Sequence, residues 1–236
     1  MSNDQDRDNK AAVNASEDQA SISSSDTPSP DASPTLSDQL KGLNVYLVGM
    51  MGAGKSTLGR HVAKALGYRF LDTDTLIEKA AGQPIKQIFA ESGETAFRQL
   101  ETQILGQVAS FKKMVVATGG GIVVERENWH FLHYGVTVWL DASVEVLYRR
   151  LKSDRHRPLL QTDNPQKTLQ TILNQRKHLY DQADVSVSIT QNEAPDQVAQ
   201  RILTAIQAAI KPELIPPEPG EFELRYDPKF FKSSDA

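Results

Sequence analysis

The residues with the clearest chemistry are the eight at positions 49–56, Gly-Met-Met-Gly-Ala-Gly-Lys-Ser, which fit the pattern G-x-x-x-x-G-K-[ST] of a phosphate-binding loop. They follow the apolar run 43–48, which predicts a buried strand, and precede 57–66, whose apolar residues recur at helical spacing. In that setting the glycines let backbone N–H groups surround a polyphosphate at the positive end of a helix. Lys55 would reach the terminal phosphates, and the Ser56 hydroxyl would ligate Mg²⁺. The pattern therefore predicts binding of a nucleoside triphosphate.

A pair of carboxylates, Asp72 and Asp74, closes the second predicted strand (68–72), and their two-residue spacing sends both side chains to one side. Ligands of parallel α/β sheets bind at the carboxyl ends of strands, where the phosphate loop also lies. One carboxylate near a metal and one near an acceptor hydroxyl suit phosphoryl transfer to an alcohol. The alternative is that either aspartate only caps the next helix. Because Thr75 and Glu78 already form a capping-box pattern there, we favour the functional interpretation.

Further candidates are weaker when taken singly. Gly119, Gly120 and Gly121 follow the predicted strand 114–117 and permit either a close approach to a ligand or an ordinary tight turn. Three arginines have the planar fork that suits a carboxylate or phosphoryl group, although an isolated arginine usually lies on a solvated face. They are Arg98 in an apolar helical stretch, Arg157 in a charged loop and Arg176 in a helix.

The elements that must position these residues alternate along the chain. The strands are predicted at 43–48, 68–72, 114–117, 136–140 and 185–189. The helices are predicted at about 57–66, from 75 to Gly82, 85–89, 94–109, 125–134, 144–151, 165–183 and 195–210. Alternation of strands and helices predicts an α/β fold with a five-stranded parallel sheet and helices on both faces.

Composition divides the chain into three parts. Residues 1–40 carry eight acidic and two basic residues with many Ser and Asn, so we expect a disordered head. Residues 41–211 carry 21 Lys and Arg against 16 Asp and Glu, a mild excess that suits an anionic small substrate with ATP and not nucleic acid. The Pro- and aromatic-containing extension 212–236 includes the alternating stretch 222–226, and we expect part of 215–231 to dock on the body.

The same composition excludes several classes of protein. The chain has no cysteine, which rules out disulfides and Cys-based zinc sites, and its five histidines form no ligand-spaced cluster. The sequence shows no apolar membrane span, secretory signal or transit peptide, so we expect a cytoplasmic protein.

Seven motifs, in order and spacing, resemble those of shikimate kinases. They lie at residues 47–59, 70–74, 88–94, 97–101, 118–121, 157–160 and 176–180, within a similarity that covers roughly 43–210. The resemblance implies a P-loop kinase related to nucleoside-monophosphate kinases, with a substrate-binding region at about 73–109 and a lid at about 152–164. It also implies ATP-dependent phosphorylation of shikimate to shikimate 3-phosphate in chorismate and aromatic amino acid biosynthesis. We expect the enzyme to be a monomer that uses Mg²⁺.

The resemblance also implies roles for individual residues. It implies that Ser56 and Asp72 bind Mg²⁺ and that Lys55, Asp74 and Arg157 act in catalysis. The residues that it implies for ATP binding are Gly52, Ala53, Gly54, Lys55, Ser56, Thr57, Arg150 and Arg157. On the shikimate side it implies Asp74 at the attacking hydroxyl, Arg98 and Arg176 at the carboxylate, and the amides of Gly120 and Gly121 at the ring hydroxyls, with Gly119 also among the substrate-binding residues. Arg149 adjoins Arg150, so which of the two contacts adenine stays open.

Two alternatives remain at this point. One is another small-metabolite kinase of similar fold, such as a gluconate kinase, and the other is a non-catalytic relative that binds ATP. The Asp-x-Asp pair, the Phe97-Arg98 pair and the three glycines disfavour the first. Retention of Lys55, Asp72 and Asp74 disfavours the second.

Overall fold

The computed structural model describes residues 34–152, 162 and 164–210. The predictions for the head up to residue 33, for most of the lid with Arg157, and for the extension 212–236 lie outside the described residues.

Strands and helices alternate as the pattern predicts. The strands are β1 (Val45–Val48), β2 (Arg69–Asp72), β3 (Met114–Ala117), β4 (Val136–Ala142) and β5 (Val185–Ile189). The helices are α1 (Leu36–Gln39), α2 (Lys55–Leu66), α3 (Thr73–Ala81), α4 (Ile85–Ala109), α5 (Arg126–Leu132), α6 (Val144–Leu151), α7 (Pro165–Tyr180) and α8 (Pro195–Ala209).

The five strands form one parallel sheet in the order β2-β3-β1-β4-β5, which confirms the predicted fold class. Every residue of β1 and β3 is buried, so helices cover both faces at the centre of the sheet. The register places Leu47 beside Ala117 and Ala117 beside Asp72. Three strands therefore end side by side, and the segments that follow them emerge at one edge.

Helix α4 combines two helices that the sequence predicted separately. Its backbone leaves the helical region at Gly93, with φ 80° and ψ 175°, and resumes immediately afterwards. A positive φ of this kind is readily adopted by glycine, which explains why the chain turns there without a longer loop.

The predicted boundary of the head requires a correction. Residues 36–39 form α1, which Thr35 begins with a capping box to Asp38, and Leu40 is completely buried. Ordered structure therefore starts by residue 34 and not at 41. The sequence pattern missed it because a helix of one turn shows no apolar periodicity.

Within the described residues, no helix has both the length and the apolarity that a membrane crossing requires.

Gly135 offers a test of how tightly the sheet is assembled. A Cβ at this position would collide with the carbonyl oxygen of Asn44, which accepts the N–H of Val136 at 2.8 Å and joins β1 to β4. We expect Gly135→Ala to lower the free energy of unfolding by about 1–3 kcal/mol in chemical denaturation, because backbone cannot yield as a side chain can.

Gly106→Ala is the matched control. In α4 the added methyl group would meet only the end of the Phe131 ring at 3.2 Å, and alanine favours the helix. Equal stability of the Gly135→Ala and wild-type proteins would contradict the proposed constraint.

Candidate active site

The phosphate loop has the strained backbone that its glycines allow. Gly49, Gly52 and Gly54 all have positive φ, at 138°, 80° and 101°. A Cβ on Gly49 would lie 2.7 Å from the carbonyl oxygen of Leu140 in β4. Gly54 is the N-cap of α2, so the loop delivers the chain directly into the helix N-terminus, where unpaired N–H groups favour an anion.

Two side chains of α2 project into this loop. The Lys55 ammonium donates to the carbonyls of Gly49 at 2.8 Å and Met50 at 3.1 Å, which holds it over the loop. The Ser56 hydroxyl donates to Asp72 Oδ2 at 2.6 Å. This contact joins the first turn of α2 to the end of β2 and brings together the two residues predicted at Mg²⁺.

The predicted capping box at Thr75 is wrong, and Asp72 provides the cap instead. Helix α3 begins at Thr73, and Asp72 Oδ1 accepts the N–H of Asp74 at 3.1 Å. Glu78 turns away and accepts the N–H of Ile85 at 3.0 Å. One carboxylate therefore caps a helix with one oxygen and faces Ser56 with the other, so the capping and functional interpretations are compatible.

The three glycines after β3 allow neighbouring groups to lie close to the backbone, and none of the three has a positive φ. The N–H of Gly119 donates to Thr73 Oγ1 at 3.0 Å, which ties this turn to the start of α3. A Cβ on Gly120 would lie 3.3 Å from the amide nitrogen of Met51 in the phosphate loop. A Cβ on Gly121 would collide with the Arg98 guanidinium. The glycines thus let the turn pack between the phosphate loop and α4.

Arg98 does not lie on a solvated face. Its side chain is 13% exposed and donates to Glu101 Oε2 at 2.6 Å and to Glu94 Oε1 at 3.2 Å. Burial by itself would lower the pKa of the guanidinium, but the charge and hydrogen bond of Glu101 outweigh it and raise that pKa. Arg98 is therefore a cation fixed by two carboxylates of its own helix.

Glu101 is a residue that the sequence reasoning left without a role. It is completely buried, and burial raises the pKa of its carboxyl while Arg98 opposes the rise. The available signal was an acidic residue three positions after Arg98 within an apolar helical stretch, a spacing that pairs side chains on one helix face.

Helix α7 contacts the glycine turn through two hydrogen-bond donors. Arg176 Nη1 donates to the carbonyl of Gly120 at 3.1 Å, and the Tyr180 hydroxyl donates to the same oxygen at 2.7 Å. The structure therefore brings both arginines to the glycine turn, Arg176 at the carbonyl of Gly120 and Arg98 at the position that a Cβ on Gly121 would occupy.

Arg150 and Arg149 diverge at the end of α6. Arg150 Nη1 donates to the carbonyls of Gly52 at 3.2 Å and Ala53 at 3.0 Å, whereas Arg149 pairs with Gln191. Only Arg150 of the two lines the cavity beside the loop. This geometry favours Arg150 as the residue next to a bound base.

A cavity of about 390 Å³ connects the phosphate loop, the ends of β2 and β3, and Arg150. Its phosphate-loop end is lined by Met51, Gly52, Gly54, Lys55, Ser56, Thr57 and Leu58, its strand ends by Asp72, Asp74, Thr118 and Gly120, and its far end by Arg150, Ile189, Glu193, Pro195 and Val198. The phosphate loop and the two aspartates at the end of β2 therefore line one cavity.

Comparison with known proteins agrees with this geometry. The sequence model of the family described as shikimate kinase matches residues 51–207, well over half of the chain. The chain belongs to the shikimate kinase family. The family match leaves the gluconate kinase alternative less well supported.

Individual shikimate kinases align with the chain over nearly their whole length. The shikimate kinase of Trichormus variabilis is 52% identical over 176 residues, which cover 75% of this chain and 97% of the relative. That of Synechococcus elongatus is 49% identical and covers 75% and 93%. The solved structure of shikimate kinase from Acinetobacter baumannii in complex with shikimate is 41% identical, with a TM-score of 0.69 over 74% of this chain and 98% of that chain.

The double role of Asp72 gives a stability test that is independent of catalysis. Asn is as good an N-cap as Asp, so we expect Asp72→Asn to keep the free energy of unfolding within about 0.5 kcal/mol of wild type. Asp72→Ala should lose about 1 kcal/mol, because the N–H of Asp74 then lacks its acceptor. Urea denaturation measures both values, and an alanine variant as stable as wild type would show that Asp72 does not cap α3.

Proposed function

We propose that this protein is an ATP-dependent shikimate kinase, which transfers the terminal phosphoryl group of ATP to a hydroxyl of shikimate and yields shikimate 3-phosphate. The observation that carries the proposal is the convergence of the phosphate loop with a pair of arginines around Gly120. Membership of the shikimate kinase family supports the same reaction.

In this proposal ATP lies along the cavity. The amides of Gly52, Ala53, Gly54 and the residues that follow, through Thr57, surround the phosphates, and Lys55 neutralises their terminal charge. Arg150 lies beside the base, opposite Pro195 at the far end of the cavity. Arg157, which lies outside the described residues, is assigned to the phosphates through the family motif.

Mg²⁺ fits the oxygen atoms that the site offers. Ser56 Oγ and Asp72 Oδ2 are only 2.6 Å apart at the start of α2, a hydroxyl and a carboxylate of the kind that hard cations prefer. Mg²⁺ usually keeps several waters and binds through one or two such protein ligands together with substrate phosphates. When bound, the metal would supply positive charge to the phosphate oxygens, and Ser56 and Asp72 would hold it directly or through water.

The acceptor side is assigned to the groups around the glycine turn. Arg98 and Arg176 bind the shikimate carboxylate, and the amides of Gly120 and Gly121 bind ring hydroxyls, while Gly119 belongs to the same substrate-binding turn and donates its own N–H to Thr73 Oγ1. Asp74, in the first turn of α3 and at the cavity wall, orients and deprotonates the attacking hydroxyl. Phosphoryl transfer needs mainly positioning and charge stabilisation, which these fixed groups provide. The enzyme is proposed to act as a monomer.

The proposal is tested by measuring ADP release with shikimate and with gluconate as acceptors. We expect turnover with shikimate that depends on Mg²⁺, and only background release with gluconate. Turnover with gluconate and none with shikimate would support the other small-metabolite kinase. No turnover with either, despite ATP binding, would support the non-catalytic relative.

The same assay applied to Lys55→Ala tests the phosphate-loop assignment. Loss of this positive charge should lower kcat by on the order of 10²–10³, the usual effect of removing one electrostatic stabiliser. Lys64→Ala, an exposed change on the same helix, is the matched control and should leave kcat unaltered. If Lys55→Ala kept more than a tenth of the wild-type kcat, the assignment would be wrong.

A further inference from the structure

The carbonyl of Gly120 is held by two donors from α7, and the shorter hydrogen bond comes from a residue that the proposed reaction does not use. The Tyr180 hydroxyl donates to it at 2.7 Å, against 3.1 Å for Arg176. Tyr180 is the last residue of α7 and is completely buried. Its ring stacks on Trp139 of β4, with centroids 5.8 Å apart and planes at 14°. Packing therefore fixes the ring, and the ring fixes where its hydroxyl points.

Because the Gly120 carbonyl is held in place, the direction of the Gly121 N–H is fixed as well. Gly120 C=O and Gly121 N–H belong to one planar trans peptide, so they point in opposite directions. Among the residues that the structure describes, the N–H groups of Gly120 and Gly121 donate no hydrogen bond. With the carbonyl tied to α7, the Gly121 N–H is directed away from α7 and is available to a ligand.

Three successive glycines would not hold such an orientation by themselves. Glycine has the largest backbone freedom of any residue, so a Gly-Gly peptide readily changes its plane unless a partner holds it. Arg176 holds it only partly, because the proposed function also requires its guanidinium to bind the substrate carboxylate. Tyr180 has no such second task.

We propose that Tyr180 is a positioning residue whose hydroxyl fixes the Gly120–Gly121 peptide so that its N–H donates to the bound acceptor substrate. The inference rests on the proposed function, since it names the substrate that the amide contacts. Tyr180 itself touches no substrate and acts through the peptide.

The ionisation behaviour of Tyr180 is consistent with a permanent donor. Burial raises the pKa of its phenol to about 12 from an ordinary value of 10.0. The hydroxyl therefore keeps its proton, and its hydrogen bond to Gly120, throughout the neutral and mildly alkaline range.

The test compares Tyr180→Phe, which removes one oxygen and keeps the stacked ring, with Tyr46→Phe. Tyr46 in β1 is also completely buried, and its hydroxyl accepts a hydrogen bond from Asn44 at 3.4 Å. Tyr46→Phe therefore removes the same buried hydroxyl group at a position away from the glycine turn. For Tyr180→Phe we expect the Kd and KM for shikimate to rise about fivefold to tenfold, as for one lost hydrogen bond. The KM for ATP should stay within twofold of wild type, and Tyr46→Phe should change neither constant.

A second measurement on the wild-type protein uses the amide resonances in NMR spectra. Addition of shikimate without ATP should shift the Gly121 N–H resonance, and this shift should shrink or disappear in Tyr180→Phe. An unchanged shikimate Kd in a folded Tyr180→Phe protein, or a Gly121 resonance insensitive to shikimate, overturns the inference. Equal losses of shikimate and ATP affinity would reveal a purely structural residue and overturn it as well.

The outcomes also separate this inference from the proposed function. A wild-type protein that phosphorylates shikimate, with a Tyr180→Phe variant that binds shikimate equally well, removes only the inference. A wild-type protein that neither binds nor phosphorylates shikimate removes the proposed function and the inference with it.

Discussion

Three stretches of backbone, the phosphate loop, β4 and the turn after β3, meet without intervening side chains, and the rest of the site depends on these contacts. Gly49 passes so close to the carbonyl of Leu140 that any Cβ would overlap it, and Gly120 lies against the amide of Met51. Side chains at either glycine would separate the phosphate loop from β4 and from the turn after β3. Phosphoryl transfer requires donor and acceptor within about 3–3.5 Å, so binding loops that touch one another are a precondition for it.

The charged groups on the acceptor side also lie close together. Glu101 is buried among Asp74, Arg98 and Arg176, and its negative charge interacts with all three. A buried ion pair seldom stabilises a fold more than apolar residues of the same volume would. We therefore infer that Glu101 serves to fix the Arg98 guanidinium beside the glycine turn. Each terminal nitrogen of this guanidinium already donates to a glutamate and keeps a second N–H, so a planar anion would meet an oriented fork.

The sequence predicted the parallel sheet and most helices because apolar runs, periodicity and glycines are local signals. It also predicted Lys55 and Arg98 as residues of one site, since motifs near strand ends converge in a parallel sheet. It failed where one side chain serves two elements, as when Asp72 caps α3 and still faces Ser56. The contact of Tyr180 with a carbonyl 60 residues away is likewise set by tertiary packing and leaves no local pattern.

The account is tested most directly by a crystal structure of the protein with ADP, Mg²⁺ and shikimate. It predicts the ADP phosphates on the amides of residues 52–57, with the metal beside Ser56 and Asp72. It predicts the shikimate carboxylate within about 3 Å of both Arg98 and Arg176, the usual length of a charge-assisted hydrogen bond. Shikimate bound away from these two arginines, or ADP bound outside the phosphate loop, would contradict it.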